Sequence, residues 1–124
     1  MLIENLYTLD SYTHEGNKII AIITINATHK IFAGHFPGQP VLPGVCQLQI
    51  VKEMLERGVG KPLLLSEAGV CKFLRMIDPE KTNLLTVTID YNASAADIGC
   101  NAVISSGEVV YLKMNGNFKV LSLS

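Results

Sequence analysis

Residues 34–45 form the stretch of the chain whose residue types most directly suggest chemistry. They read Gly-His-Phe-Pro-Gly-Gln-Pro-Val-Leu-Pro-Gly-Val. The three prolines restrict φ and bias the residues before them toward extended conformations, which is a costly way to connect two elements unless the shape of the loop matters. The segment carries one imidazole, His35, and leads into a predicted helix start at Pro43 and Gly44.

A histidine beside a helix start can produce an enolate that the helix start stabilises. Its free N–H groups form a positive, hydrogen-donating end, which can bind a carbonyl oxygen that gains negative charge. Glycine at position 44 lets a ligand approach the backbone closely. A histidine beside those donors can remove the proton α to a thioester carbonyl. His35 and Gly44 therefore indicate half of a site for enolate chemistry, although a single loop histidine is also typical of a surface or capping residue.

The helix that follows must position the remaining side chains of such a site. We predict it over residues 45–57, with Gly58 as its stop signal. At about 100° per residue, one sector is polar and the opposite sector is apolar. The polar sector contains Gln49, Lys52, Glu53 and Glu56. A helix face that is simply exposed to solvent would explain this polar sector equally well. Gln47 falls in the apolar sector, where its amide needs hydrogen-bond partners.

Runs rich in apolar and β-branched residues predict strands on both sides of this helix. The predicted strands cover residues 2–13, 18–28, 63–77, 84–93, 98–105 and 108–122, with a loop over residues 29–44. One helix against an antiparallel sheet is an α+β layout. The length of 124 residues is that of one domain, which we expect to span residues 1–124.

Composition argues against several classes of partner. The net charge of −1 provides no general attraction to nucleic acid or anionic lipid. No apolar run approaches the roughly 18–20 residues of a membrane span. The first ten residues contain Glu4 and Asp10 but no basic residue, unlike a signal peptide. We therefore expect a soluble cytoplasmic protein that binds neither nucleic acid nor membrane.

The three cysteines are far apart and form no CxxC pair. Cys46, Cys71 and Cys100 therefore indicate neither a disulfide framework nor a zinc site. Cys46 lies in the first turn of the predicted helix, where a thiol pKa can be lowered, but a buried inert thiol is the favoured interpretation. We expect no metal and no cofactor.

The segment from His35 to Val45 closely resembles the signature of the β-hydroxyacyl-acyl-carrier-protein dehydratases of bacterial fatty-acid synthesis. The order of elements is similar to the hot-dog fold of that family, a curled antiparallel sheet wrapped around one helix. A second, partial match runs from Lys72 to Pro79. It resembles the basic-aromatic strand that leads to a Pro-Gly-Asp turn in the family, but the turn here reads Pro79-Glu80-Lys81.

The resemblance implies a set of roles. His35 would be the catalytic histidine, and the backbone N–H of Gly44 would bind the thioester carbonyl. Lys72 and Arg75 would contact the acidic acyl carrier protein. The acid that protonates the departing hydroxyl would lie fourteen positions after the histidine, close to the histidine of a partner subunit. We therefore expect a dimer, with His35 within a few Å of position 49 of the partner and beside an apolar channel.

Position 49 is a glutamine here, and this departure leaves the function open. An amide cannot supply a proton at neutral pH. Glu53 lies one turn further on, about 6 Å along the helix axis, and could act through a water. Three functions remain: dehydration or hydration of a 3-hydroxyacyl thioester, a non-catalytic or half-site subunit paired with an active homologue, and hydrolysis of an acyl thioester. Homodimers, heterodimers and higher oligomers also remain open.

Overall fold

The computed structural model describes residues 4–33 and 40–121. In chain order it contains β1 (Tyr7–Glu15), β2 (Lys18–Ile25), a 3-10 turn (Lys30–Phe32), α1 (Gly44–Val59), β3 (Leu63–Phe73), β4 (Leu84–Ala93), β5 (Asp97–Ser106) and β6 (Val109–Val120). This is the predicted order of two strands, one long helix and four strands. None of the described helices is long and apolar enough to cross a bilayer.

The six strands form one antiparallel sheet in the order β1-β2-β4-β5-β6-β3. Because β2 and β3 lie in different parts of this sheet, the connection between them must cross its face, and α1 makes that crossing. The helix packs against β2, β3 and β4. The predicted α+β class, a hot-dog arrangement of a curled sheet around one helix, is confirmed.

Alternating side chains place the core between the sheet and the helix. In β2, for example, Ile19, Ala21, Ile23 and Ile25 are buried, while the residues between them are more exposed. The helix contributes its predicted apolar sector, including Ile50, Val51, Met54 and Leu55. Every second side chain of the strands and the apolar face of the helix, which repeats every 3.6 residues, pack together into one continuous apolar core.

The helix ends later than predicted. Gly58 lies inside α1, which runs to Val59, and Gly60 is the C-terminal cap with a left-handed φ of 71°. A Cβ at Gly58 would lie 2.6 Å from Cδ1 of Ile19 and 2.9 Å from the hydroxyl of Tyr12. Gly58 therefore permits close packing of the helix on β1 and β2. Gly60 supplies the backbone conformation that ends the helix.

Strand boundaries differ from the prediction at the two edges of the sheet. β1 begins at Tyr7, and β3 ends at Phe73 and not at residue 77. The edge strands are irregular, with register shifts between Leu9 and Ser11 in β1 and at two points in β3. An edge strand has one hydrogen-bonded neighbour, so its bounds depend on local pairing more than on the apolar pattern.

Candidate active site

At the start of α1, the first backbone amides have no acceptor among residues 4–33 and 40–121. Pro43 is the N-terminal cap in an extended conformation, and its side chain makes no capping hydrogen bond. The amides of Cys46 and Gln47 both donate to the carbonyl oxygen of Pro43, at 3.0 and 3.1 Å. Gly44 and Val45 precede these two residues, and their amides have no acceptor within the helix. They can donate to a ligand oxygen at this end.

The ring of Phe73 lies directly over Gly44. A Cβ at Gly44 would lie 2.8–3.3 Å from three ring carbons of Phe73, tighter than an ordinary van der Waals contact. A side chain at position 44 would therefore force the Phe73 ring to move. Phe73 is 48% exposed, so its ring also forms an apolar wall next to the free amides. Phe73 belongs to the second matching segment, but the sequence assigns it no role.

An apolar groove of about 230 Å³ runs beside α1, on the side that faces β3 and β6. The helix lines the groove with one face, at spacings of three and four residues. The lining residues are Val45, Leu48, Gln49 and Lys52 of the helix, with Leu64, Leu65, Met114 and Phe118 of the sheet. Gln49 thus lies beside apolar surface.

Gln49 and Glu53 are joined in a short hydrogen-bond network. The amide Nε2 of Gln49 donates to Oε2 of Glu53 at 2.9 Å. The hydroxyl of Tyr7, at the start of β1, donates to the other carboxylate oxygen at 2.5 Å. All three residues are half-buried. Burial and, secondly, the hydrogen bond to Glu53 raise the pKa of Tyr7 well above its ordinary value, so the phenol stays a donor.

Tyr7 is the site residue that the sequence does not reveal. It is 46 positions away from Glu53, and no motif links the two. The predicted polar sector of α1 is real but is not simply solvated: Glu53 accepts from Tyr7 and Gln49, and Glu56 accepts from the amide of Leu63 at 2.8 Å.

Gln47 is buried among apolar side chains, with 3% of its surface exposed. Its Nε2 donates to the carbonyl oxygen of Leu42 at 3.1 Å. No donor from the described residues reaches its Oε1. The predicted need for partners is therefore met in part, and the bond to Leu42 ties the helix to the chain that leads into it.

The structure places the other predicted residues as follows. His35 lies outside the described residues, which include Pro40 to Gly44 but not residues 34–39. Lys72 is exposed near the end of β3, directly opposite Lys113 of β6. Arg75 is exposed but lies beyond the end of β3, so the predicted strand does not carry it.

The cysteines are free thiols. Cys46 is 1% exposed, and burial raises its pKa above the ordinary value. The direction is opposite to that of an activated thiol at a helix start. Cys46 is therefore part of the core, in agreement with the favoured interpretation.

The model of the ApeI-like dehydratases, described as "ApeI dehydratase", matches residues 11–108. The chain belongs to the ApeI-like dehydratase family. The matched residues extend from β1 to the turn before β6 and include Gly44, Gln49 and Glu53.

Curated relatives carry the name 3-hydroxyacyl-[acyl-carrier-protein] dehydratase FabZ. The protein of Oenococcus oeni is 33% identical over 60% of this chain and 59% of its own length. That of Clostridium acetobutylicum is 27% identical over 75% of this chain and 71% of its own length. This member of the ApeI-like family thus spans about three fifths of the length of the Oenococcus relative.

Solved structures share the fold. One is the dehydratase heterocomplex ApeI:P from Xenorhabdus doucetiae, with a TM-score of 0.73 at 18% identity over 90% of this chain and 96% of that one. Another is a thioesterase mutant from Staphylococcus aureus, with a TM-score of 0.66 at 14% identity over 94% and 93%. At these identities the likeness concerns the hot-dog fold.

Proposed function

We propose that this ApeI-like protein acts as a dehydratase or hydratase of 3-hydroxyacyl thioesters presented by acyl carrier protein. The observation that carries the proposal is the uncapped start of α1 at Gly44 beside an apolar groove that Gln49 lines. Such a site suits a thioester carbonyl at the helix start with its acyl chain along the groove. The names of the curated relatives support this choice of substrate.

In this proposal three residues act on the substrate. His35 removes the α-proton, and the amide of Gly44 stabilises the enolate oxygen. The side chain of Gln49 hydrogen-bonds the 3-hydroxyl, which takes a proton from a solvent water and leaves as water. An amide contributes no proton to that hydroxyl. Because general acid catalysis is worth about 10²–10⁴-fold, we expect native dehydration to be slow.

The decisive experiment follows both directions of the reaction. The purified protein is incubated with 3-hydroxyacyl and 2-enoyl thioesters, and the products are identified by mass spectrometry. Interconversion of the two thioesters supports the proposal, and His35→Ala must abolish it. Release of a free acid would instead identify a thioesterase, the function of the Staphylococcus neighbour. No conversion, with the thioester bound, would support a non-catalytic subunit.

We propose that the active form is a dimer formed through β3. This strand lies at one end of the sheet, and an open strand edge pairs readily with another chain. Large apolar side chains are exposed along and just beyond it, namely Leu64, Val70, Phe73, Leu74 and Met76. Sedimentation at micromolar concentration should show a dimer, and Val70→Lys should shift it toward monomer. A stable wild-type monomer would contradict the proposal.

A heterodimer with an active homologue is the second candidate. The solved neighbour from Xenorhabdus is a heterocomplex, and the glutamine at position 49 leaves this chain without the acid that the resemblance implies. In such a pair this chain supplies His35 and the partner supplies the acid. Co-purification from the native organism, followed by identification of any second hot-dog chain, separates the two candidates.

We propose that acyl carrier protein binds at a basic surface formed by Lys72, Lys113 and Arg75. Lys72 and Lys113 are directly opposed on neighbouring strands, where like charges destabilise the sheet unless an anion lies between them. Lys72→Glu and Lys113→Glu should weaken turnover of carrier-bound substrate while a small pantetheine thioester is converted normally. Lys119→Glu, at an exposed position of β6, is the control. Equal effects on both substrates would contradict the docking surface.

A further inference from the structure

We propose that Tyr7 and Glu53 are positioning residues that hold the amide of Gln49 with its oxygen toward the acyl groove. The inference rests on the proposed function for its consequence in catalysis. Its structural basis is the network in which the two oxygens of Glu53 accept hydrogen bonds from Tyr7 and Gln49.

The chemistry of the network determines which end of the Gln49 amide faces Glu53. A carboxylate only accepts hydrogen bonds, so the group 2.9 Å from Oε2 of Glu53 must be the donor Nε2. The Oε1 atom of Gln49 is then on the other side of the amide. A ligand in the groove therefore meets an acceptor at position 49.

Glu53 is not one of the residues that line the acyl groove. Gln49 lines the apolar groove together with Val45 and Leu48. Glu53 lines a separate groove on the other side, together with Tyr7 and Arg57. A residue in this place acts on a ligand through Gln49.

Tyr7 connects this helix face to the sheet. The preceding residue, Leu6, is buried, and its carbonyl oxygen accepts from the amide of Asn26 at 2.7 Å. Tyr7 itself pairs with Ile25 in the sheet. The phenol therefore approaches Glu53 from a fixed backbone and selects one rotamer of a long, flexible side chain.

The consequence is a defined role for Gln49. Its oxygen accepts the hydrogen of the substrate 3-hydroxyl, or of a water that adds to an enoyl thioester, and so holds that oxygen atom next to C3. Because this is a matter of orientation, loss of the network should lower turnover and leave substrate affinity nearly unchanged.

Three variants test the inference. Tyr7→Phe removes the hydroxyl that donates to Glu53. Glu53→Gln replaces a carboxylate, which only accepts hydrogen bonds, by an amide that also donates, so the side-chain amide of Gln49 can flip and exchange its oxygen and nitrogen. Tyr12→Phe is the matched control, because Tyr12 also joins β1 to α1, donating to the carbonyl oxygen of Met54 at 2.9 Å. We expect kcat to fall roughly ten- to a hundredfold in the first two variants, with KM and the control nearly unchanged.

A spectroscopic readout tests the same inference without any activity. The side-chain amide signals of Gln49 in a ¹⁵N-labelled sample are assigned as those that disappear in Gln49→Glu. They should shift in Glu53→Gln and in Tyr7→Phe but not in Tyr12→Phe. Signals that are the same in all folded variants would overturn the inference. Shifts in a protein that converts no thioester would uphold the network and reject the proposed function.

Discussion

Gln49 and Glu53 are one helical turn apart on α1, and the amide of Gln49 donates to the carboxylate of Glu53 at 2.9 Å. A carboxyl group placed at position 49 would thus lie against a second carboxylate. Two such groups share one proton, because both cannot easily be charged at this separation. Tyr7 already donates to Glu53, which favours the proton on the group at position 49.

Gln49→Glu should therefore create a general acid. The side chains are nearly isosteric, so the fold should be retained. We expect dehydration of a 3-hydroxyacyl thioester to rise by about 10²–10⁴-fold, the usual size of general acid catalysis. The neighbouring carboxylate raises the pKa of the introduced group, so the gain should persist at neutral pH and decline at higher pH. The rate of enoyl thioester formation across pH measures both.

The control for this prediction is Glu53→Gln in the native background. If Glu53 itself acted as the acid through a water, Glu53→Gln would abolish native activity while Tyr7→Phe would retain it. If Gln49→Glu leaves an inert protein inert, the acid alone does not explain the defect, and the half-site subunit becomes the better interpretation.

Gly44→Ala should destabilise the protein through Phe73. The new methyl group would lie as close as 2.8 Å to the ring, and such overpacking costs about 1–3 kcal/mol. Half the ring is exposed, so it can move away, but it would then leave the helix start. Urea denaturation should show the loss, and Phe73→Ala should restore most of it in the double variant. If the double variant instead loses as much stability as the two single variants together, the contact between the two residues would be contradicted.

Gly58→Ala should also destabilise, although alanine normally strengthens a helix interior by about 1 kcal/mol relative to glycine. The added methyl would meet Cδ1 of Ile19 at 2.6 Å and the hydroxyl of Tyr12 at 2.9 Å. Gly60→Ala is the companion variant: it meets nothing within 4 Å but must adopt a φ of 71°. Tyr12→Phe combined with Gly58→Ala should recover part of the loss. A stabilised Gly58→Ala protein would show that the helix does not pack this closely.

Cys100 should make the free energy of unfolding depend on pH in the alkaline range. Burial raises the pKa of its thiol from 9.0 to about 11, although a backbone hydrogen bond from Gly116 opposes the shift. Between these values the unfolded chain loses the proton and the folded chain keeps it. The contribution of Cys100 to stability is therefore full below pH 9 and declines by up to about 2–3 kcal/mol as the pH rises to 11.

Urea denaturation at several pH values should show this decline in the wild type and a smaller one in Cys100→Ala. The comparison concerns the slope with pH, because the substitution also removes some packing. Identical slopes would mean that Cys100 does not keep its proton in the folded state.

The sequence alone determines the parts of this protein that depend on neighbours along the chain. The alternation in β2 and the apolar sector of α1 follow from fixed side-chain periods, and the prolines and Gly44 mark a loop that enters a helix. The role of position 49, by contrast, is implied by the resemblance of the loop to the dehydratase signature, and not by periodicity. The alternation in β2 and the apolar sector of α1 are present in the structure because local geometry and burial favour the same arrangement.

The tertiary structure decides which distant residues meet. Tyr7 reaches Glu53 across 46 positions, and Phe73 covers Gly44, because the curl and register of the sheet bring β1 and β3 to the two sides of α1. The sequence predicts that the helix stops at Gly58, but the structure ends it at Gly60. Ile19 and Tyr12 lie so close to the helix at Gly58 that a side chain there has no space. Such choices depend on the space left between packed elements, which no period along the chain encodes.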